Sequence, residues 1–318
     1  SKMANVVSIG TRGSKLALAQ TQIVINSLIK INKDFNYEIQ SIKTKGDLDN
    51  NKPLFYLDRK GIFEKEINES VVKGDVDFAI HSLKDLPAVI HPDLTIASIP
   101  KRESVNDVLI SKKKRRLDQI PHGSTIGTSS LRRAIQIISL RNDFNVIPIR
   151  GNIDTRIEKA LKGDYDAIVL AEAGLKRLGK EEYISEIFDT KRFLPAPGQG
   201  ALAIVCKKSN RKLVNFLKKI EHRPSRISIN AERSFTSKIE GGCRFPIAAY
   251  ANLSEKTNKI NFYAKIFSSD GSEHITIKKI GDYDQSEKVG IMVANSLIQN
   301  GALMLAEGWD KAINEWNK

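Results

Sequence analysis

Cysteine is almost absent: two in 318 residues are too few for a disulfide scaffold, and no paired C-x-x-C spacing offers a zinc site. No apolar run approaches the roughly 18 residues of a membrane span, and the first residues lack the basic-then-apolar pattern of a secretory signal. The expectation is a cytoplasmic protein, or a plastid one if a leader has been removed, with no membrane partner. Neither G-x-G-x-x-G nor G-x-x-x-x-G-K-[ST] occurs, which removes the common nucleotide cradles. The histidines show no metal-ligand spacing, so no metal is expected. Fixed-period repeats and low-complexity tracts are also missing.

What the chain has in excess is positive charge. With Lys+Arg 51 against Asp+Glu 37 the formal net charge is +14, which attracts nucleic acid, anionic surfaces or acidic small molecules. The densest run, Lys112-Lys113-Lys114-Arg115-Arg116, has no interleaved aromatics and precedes the turn Pro121-His122-Gly123. It reads as a solvated surface loop, and no nucleic acid is expected as a partner.

Short apolar strands alternate with amphipathic helices through the first two thirds, the signature of parallel α/β domains. Val6 to Ile9 is a strand, followed by the loop Gly10-Thr11-Arg12-Gly13-Ser14 and a helix with Leu18, Ile25, Leu28 and Ile29 on one face. Ile39 to Ile42, a helix over Ile62 to Val72, Phe78 to Ile80 and Leu94 to Ile99 continue the unit. The same grammar restarts after Pro100: Val108 to Ile110, Thr125 to Gly127 entering a helix from Ser130, Val146 to Ile149 entering another capped by Asp154, then Ala167 to Leu170. Chain crossings near 100 and 198 predict a hinged pair with a cleft between, residues 1–100 and 200–220 forming one domain and 101–199 the other. From 221 to 318 the pattern becomes a third, α+β domain: one helix, a glycine-rich loop, three strands and a last helix after Ser286.

The two cysteines differ. Cys206 ends the apolar run Ala201 to Val205 and reads as a buried, inert strand residue. Cys243 lies in Gly241-Gly242-Cys243-Arg244-Phe245-Pro246, an irregular and exposed turn in which the adjacent Arg lowers the thiol pKa. A turn cysteine with no role stays open on local sequence alone.

Arginines recur where strands give way to helices, the place where open α/β sheets bind ligands. Arg12, Arg132, Arg133, Arg150 and Arg156 all stand there. A cation at a helix N-terminus opposes the macrodipole, so an anion held between guanidinium forks and the N–H groups of Thr128-Ser129-Ser130 explains the placement. Pairing with surface acids is the alternative for each arginine singly. Phe78-Ala79-Ile80-His81-Ser82-Leu83-Lys84-Asp85-Leu86-Pro87 ends a strand in a polar cluster. Asp85 there can stabilise a developing cation or merely cap the turn, and His81 is either a base or a core histidine.

These residues resemble a family in order along the chain. Ser8-Ile9-Gly10-Thr11-Arg12-Gly13-Ser14-Lys15-Leu16-Ala17-Leu18-Ala19-Gln20, His81 to Pro87, Gly127 to Arg133, Arg150-Gly151-Asn152-Ile153-Asp154-Thr155-Arg156, Leu194-Pro195-Ala196-Pro197-Gly198-Gln199-Gly200 and Gly241-Gly242-Cys243 are similar to blocks of the porphobilinogen deaminases, from about residue 6 to 252. The resemblance implies two type II periplasmic-binding-protein-like α/β domains joined by a double crossover, plus a C-terminal α+β domain carrying a cofactor cysteine. It implies a dipyrromethane cofactor on Cys243 by thioether, onto which four porphobilinogens are added head to tail with loss of ammonia before hydroxymethylbilane is released.

By the same resemblance Lys84, Asp85, Ser130, Arg132, Arg133, Arg150 and Gly151 contact the cofactor, and Arg12, Ser14, Arg150, Arg156, Arg177 and Gln199 the substrate and growing polypyrrole. Asp85 is the catalytic residue, and Lys60 and Phe63 belong to a mobile lid. The protein is expected to be a monomer. Departures from the family pattern are Ile62, Thr236 and Glu172, which bear on packing and local charge. A non-catalytic two-lobed binding protein for an anionic solute is the alternative, and it leaves Cys243 and Asp85 unexplained.

Overall fold

The computed structural model describes residues 5–48, 53–57, 63–240 and 245–318. Lys60, Ile62 and the Gly241-Gly242-Cys243-Arg244 stretch lie outside the described residues. The strands are β1 (Val6–Thr11), β2 (Asn36–Ser41), β3 (Phe78–Ser82), β4 (Leu94–Ser98), β5 (Asp107–Ser111), β6 (Thr125–Gly127), β7 (Asn145–Ile147), β8 (Ala167–Ala171), β9 (Glu186–Ile187), β10 (Leu202–Lys207), β11 (Ile247–Ser254), β12 (Lys259–Phe267) and β13 (His274–Asp282).

Two compact units form, one of Ser1–Asn51, Arg59–Glu103 and Gly200–Arg226, the other of Lys52–Asp58, Ser104–Gln199 and Ile227–Lys318. The first holds a five-stranded sheet in the order β2-β1-β3-β10-β4. β1 pairs in parallel with β2 and β3, while β10 runs antiparallel between β3 and β4. The second holds a sheet of the same design, β7-β6-β8-β5-β9, with β5 as the antiparallel strand. In each sheet the antiparallel strand, β10 or β5, lies between the parallel strands and the edge strand β4 or β9. A three-stranded antiparallel meander, β11-β12-β13, joins the second unit.

In the first unit the Lys15–Ile31 helix is capped by Ser14, whose Oγ accepts the Ala17 N–H, and it buries Thr21, Val24, Ile25 and Leu28 against the sheet. Ile29, expected on that face, is 39% exposed instead: the i, i+3, i+4, i+7 stripe starting at Thr21 leaves no room for it. Ile9, Leu28, Phe78, Ile204 and Cys206 share one core cluster. Burial pushes the Cys206 thiol up to about 11, which keeps it unreactive. The Lys65–Lys73 helix buries Ile67 and Val71 and ends on Gly74 at φ 82, the left-handed cap that glycine adopts at least cost.

The second unit departs from sequence expectation in three places. β7 stops at Ile147, two residues short, because Pro148 has no N–H to continue the ladder. The Ile153–Lys162 helix is capped by Asn152, whose side chain accepts the Thr155 N–H at 2.9 Å. Asp154 instead sits inside the first turn, 3.5 Å from Lys180. Finally, the chain ends in three helices rather than one, Ser286–Gln299, Ala302–Ala306 and Trp309–Trp316, broken at Gly301 and Gly308, both at positive φ.

The two unusual residues fit locally. Thr236 is buried but donates its hydroxyl to the Glu232 carbonyl at 2.8 Å, so its polar atom is satisfied. Glu172 is buried as the first residue of the Glu172–Arg177 helix, where the helix dipole favours an anion. The Lys112–Arg116 run is a turn after β5, with Lys112, Lys113, Lys114 and Arg116 exposed. No single helix among the described residues is long and apolar enough to cross a membrane.

His81 lies in β3 with its Nε2 2.8 Å from Asn68 Oδ1, and Asn68 in turn donates to Glu64 at 2.8 Å. Burial pushes its pKa down from 6.5 to about 4, so the ring is neutral near pH 7, as a core histidine should be. As pH falls, the unfolded chain takes up this proton first. The stability linked to His81 is therefore complete above pH 6.5 and is lost between 6.5 and 4, by up to about 3 kcal/mol. In chemical denaturation across that window His81→Gln is expected to flatten the pH dependence by about one proton, and parallel curves for the two proteins would refute the assignment.

The Ser286–Gln299 helix packs so closely on the Arg223–Ile239 helix that a Cβ at Gly290 would lie 2.2 Å from the Ala231 carbonyl oxygen and 2.2 Å from Ser234 Oγ. Backbone cannot yield there, so Gly290→Ala is expected to cost about 3 kcal/mol or more. A Tm within a degree or two of the parent would show that the helices can separate freely.

Candidate functional site

Apart from Phe63 and Gln199, each predicted site residue that is described falls at or beside the carboxyl end of a parallel strand, or in the helix that follows. In the first unit Arg12 ends the β1 turn, its Nη2 2.7 Å from Asp47 Oδ1 and its guanidinium 3.7 Å over the Phe63 ring. Burial by itself would push the Asp47 carboxyl up, but hydrogen bonds from Arg12 and Thr44 outweigh it and hold the group below its usual range. Ser14 caps the adjoining helix. Lys84 and Asp85 occupy a single 3-10 turn, Leu83–Asp85, directly after β3, both half-buried. That turn is fixed from behind: Leu83 N–H donates to the Ala201 carbonyl at 2.9 Å, and Gln20 Nε2 donates to Ser82 Oγ at 3.3 Å. Asp85 is thus presented by a buried leucine on one side and Leu86, also buried, on the other.

In the second unit the Thr128–Ser130 turn follows β6. Ser130 caps the Leu131–Leu140 helix by accepting the Arg133 N–H at 3.3 Å. Ser129 exchanges hydrogen bonds with Ile149, donating at 2.7 Å and accepting at 2.9 Å, so the turns after β6 and β7 are locked together. Arg132 is 2% exposed and donates to Asp107 at 2.7 Å, to the Leu194 carbonyl at 3.0 Å and to Gln199 Oε1 at 3.3 Å. Arg133 reaches the same carboxylate through Nε at 2.9 Å. Among the described residues its terminal guanidinium nitrogens make no further hydrogen bond. Gln199, fully buried, donates from Nε2 to the Val105 carbonyl at 2.7 Å and to Asp107 at 3.2 Å.

The third cluster follows β7. Gly151 holds φ 111, and a Cβ on it would meet the Thr155 side chain at 2.7 Å, so glycine is required on both counts. Its carbonyl accepts Arg156 Nε at 2.7 Å, and the Arg150 carbonyl accepts Lys159 Nζ at 3.1 Å. Arg150 and Arg156 are half-buried, and Arg177, likewise half-buried, ends the Glu172–Arg177 helix.

The structure therefore gathers Arg132, Arg133 and Gln199 around one acid, with Ser130 capping the helix that carries both arginines, and sets Arg150, Gly151 and Arg156 on the neighbouring turn. It also gathers Arg12, Phe63, Ser14, Lys84 and Asp85 at the strand ends of the first unit. Cys243 and Lys60 lie outside the described residues. Sequence reading missed Asp107 and Asp47. An acid opening the wholly apolar strand Val108-Leu109-Ile110, with two adjacent arginines elsewhere, was the available sign that Asp107 has a buried cationic partner.

Comparison with known proteins gives matches along the same chain. The family model "Porphobilinogen deaminase, dipyromethane cofactor binding domain" matches residues 7–215, and "Porphobilinogen deaminase, C-terminal domain" matches 227–299. A probable porphobilinogen deaminase of Nitrosopumilus maritimus is 49% identical over 312 residues, covering 98% of both chains. The porphobilinogen deaminase of Brevibacillus brevis is 43% identical over 294 residues, 92% of this chain and 94% of that one. Among solved structures, a YaeC-family lipoprotein of Enterococcus faecalis overlaps with TM-score 0.41 at 12% identity, covering 68% of this chain and 90% of that chain. The named relatives give no support to a non-catalytic binding protein. With both models matched in chain order and identity of this level over nearly the full length, the chain belongs to the porphobilinogen deaminase family.

Proposed function

We propose that this chain joins four porphobilinogen molecules head to tail, with loss of ammonia at each step, and then releases hydroxymethylbilane by hydrolysis. Each pyrrole bears two carboxylates, so the product grows as a polyanion. What carries this reading is the Ser129–Arg133 turn: a nine-tenths buried arginine, fixed through Nε by Asp107, whose terminal nitrogens have no hydrogen-bond partner among the described residues. A buried guanidinium in that state suits an incoming carboxylate. The residues thus fit a dipyrromethane, which when bound supplies the pyrrole carbon that attacks the first substrate.

Ser130, Arg133, Arg150 and the Gly151 backbone would hold that cofactor's carboxylates, with Lys84 on another. Arg132 and Gln199 support the group from beneath, through Asp107. Arg12, Ser14, Arg156 and Arg177 would bind the carboxylates of incoming and already joined units, with Arg12 sharing or exchanging the Asp47 carboxylate it now holds. Asp85 accepts pyrrole N–H groups, stabilises the cation that develops as ammonia departs, and takes up the proton that the attacking pyrrole carbon loses once the new bond has formed. Cys243 tethers the cofactor. Lys60 and Phe63 cover the reacting end, and Phe63 already lies on the Arg12 guanidinium. The chain divides into a first domain at 1–100 and 200–220, a second at 101–199 and a cofactor-bearing third at 221–318, and the enzyme works as a cytoplasmic monomer without nucleic acid or membrane.

Intact-protein mass is expected to exceed the polypeptide mass by two linked pyrrole units, and the excess should vanish in Cys243→Ala. A bare polypeptide mass in active enzyme would reject the tether. Asp85→Asn is expected to keep the added mass while turnover falls about a hundredfold or more. Near-parental turnover in that variant would remove Asp85 from the chemistry.

A further inference from the structure

Residues 53–57 stand apart from their neighbours in sequence. The stretches before and after them belong to the first unit, yet they belong to the second. There they run as an extended strip along the turn that opens the Leu131–Leu140 helix. Tyr56 N–H donates to the Ser129 carbonyl at 2.9 Å, Leu131 N–H donates to the Tyr56 carbonyl at 3.0 Å, and Tyr56 pairs with Ser130 in a parallel bridge. Leu131 is the first helical residue, and its N–H is one that the helix itself cannot satisfy. The strip therefore finishes the turn from which Ser130 and Arg133 project.

The far end of the chain holds the strip. The Asn317 carboxamide accepts the Phe55 N–H at 2.6 Å and donates to the Phe55 carbonyl at 3.1 Å. One side chain so satisfies both backbone groups of one residue, as a neighbouring strand would. Trp316 meets the Phe55 ring edge-on at 5.1 Å, and Phe55 is buried in the core cluster that includes Leu131. Trp309 fixes the terminal helix by donating from Nε1 to the Phe267 carbonyl at 2.8 Å. These contacts come from residues beyond 299, where the family-model match ends.

We propose that Asn317 is a positioning residue: by clasping Phe55 it fixes the Tyr56 bridge to the Ser129–Leu131 turn, and thereby the aim of Ser130 and Arg133 at the carboxylates of the polypyrrole. The catalytic consequence rests on the function proposed above; the mechanical link does not. In the full-length, cofactor-loaded enzyme, Asn317→Ala is expected to speed amide exchange at Leu131, which Asn317 does not touch, by about tenfold. KM for porphobilinogen should rise by about the same factor with kcat held within about twofold. Asn317→Gln keeps donor and acceptor and is expected to restore most of both.

Unchanged exchange at Leu131 in Asn317→Ala would overturn the proposal. So would a joint loss of kcat and KM that follows a global fall in Tm and is not restored by Gln. A parent enzyme that fails to turn over porphobilinogen would count against the functional reading instead, and the exchange result would then decide the clasp by itself.

Discussion

Asp107 has no exposed surface, yet its carboxylate accepts hydrogen bonds from Arg132, Arg133 and Gln199. A lone carboxylate at that depth would be heavily penalised, and so would either guanidinium without it. Removing one partner of a buried pair typically costs about 3–5 kcal/mol because the other is left uncompensated. Two guanidinium groups share this one carboxylate. Arg132 is held by Leu194 and Gln199 as well, whereas Arg133 reaches the carboxylate through Nε. The same cluster joins the start of β5 to Gln199, the last residue before the chain re-enters the first unit, so the electrostatic centre is also a fastening of the second unit's two chain ends.

In each unit the candidate residues stand on short loops at strand ends, and each loop is stiffened by a different local device. Ser14, Ser130 and Asn152 cap helices with their side chains, Gly151 supplies a conformation other residues resist, and Ser129 knits two turns together. Cations at helix starts are unfavourable for the dipole by a few tenths to about 1 kcal/mol each. Satisfying the helix N–H groups with neutral hydroxyl and amide caps leaves the anion-attracting potential of the turns intact for a ligand. In the first unit Arg12 is handled otherwise, by an ion pair with Asp47 and a stacked ring, a partly exposed arrangement whose Coulomb strength is modest and which a competing carboxylate can enter.

The meander and terminal helices extend this logic to the end of the chain. Glu232, fully buried, accepts the Gly198 N–H at 2.7 Å and the Ala251 N–H at 3.0 Å, joining the crossover turn to β11. Helices 302–316 then close over the meander and reach Phe55, so a strip from early in the sequence is built into the core made last.

How much was legible in the sequence follows from the range over which each rule acts. Alternating apolar strands and helices, the glycine turns, the Ser130 cap and the placement of arginines at strand ends depend on residues within one or two turns of each other, and the chain alone displayed them. The order of motifs was enough to show the family. Errors arose even locally where two adjacent candidates competed: Asn152 took the cap that Asp154 could have filled, and Ile29 turned outward because Thr21, Val24 and Leu28 already filled the face. Only tertiary structure decided which acid met which arginine. Asp107 and Arg132 are 25 residues apart, Arg12 and Asp47 35, Phe55 and Asn317 262. A sequence states that a buried charge must have a partner, but the partner is fixed by which strands lie side by side, and that is settled by burial over the whole core rather than by any neighbouring residue.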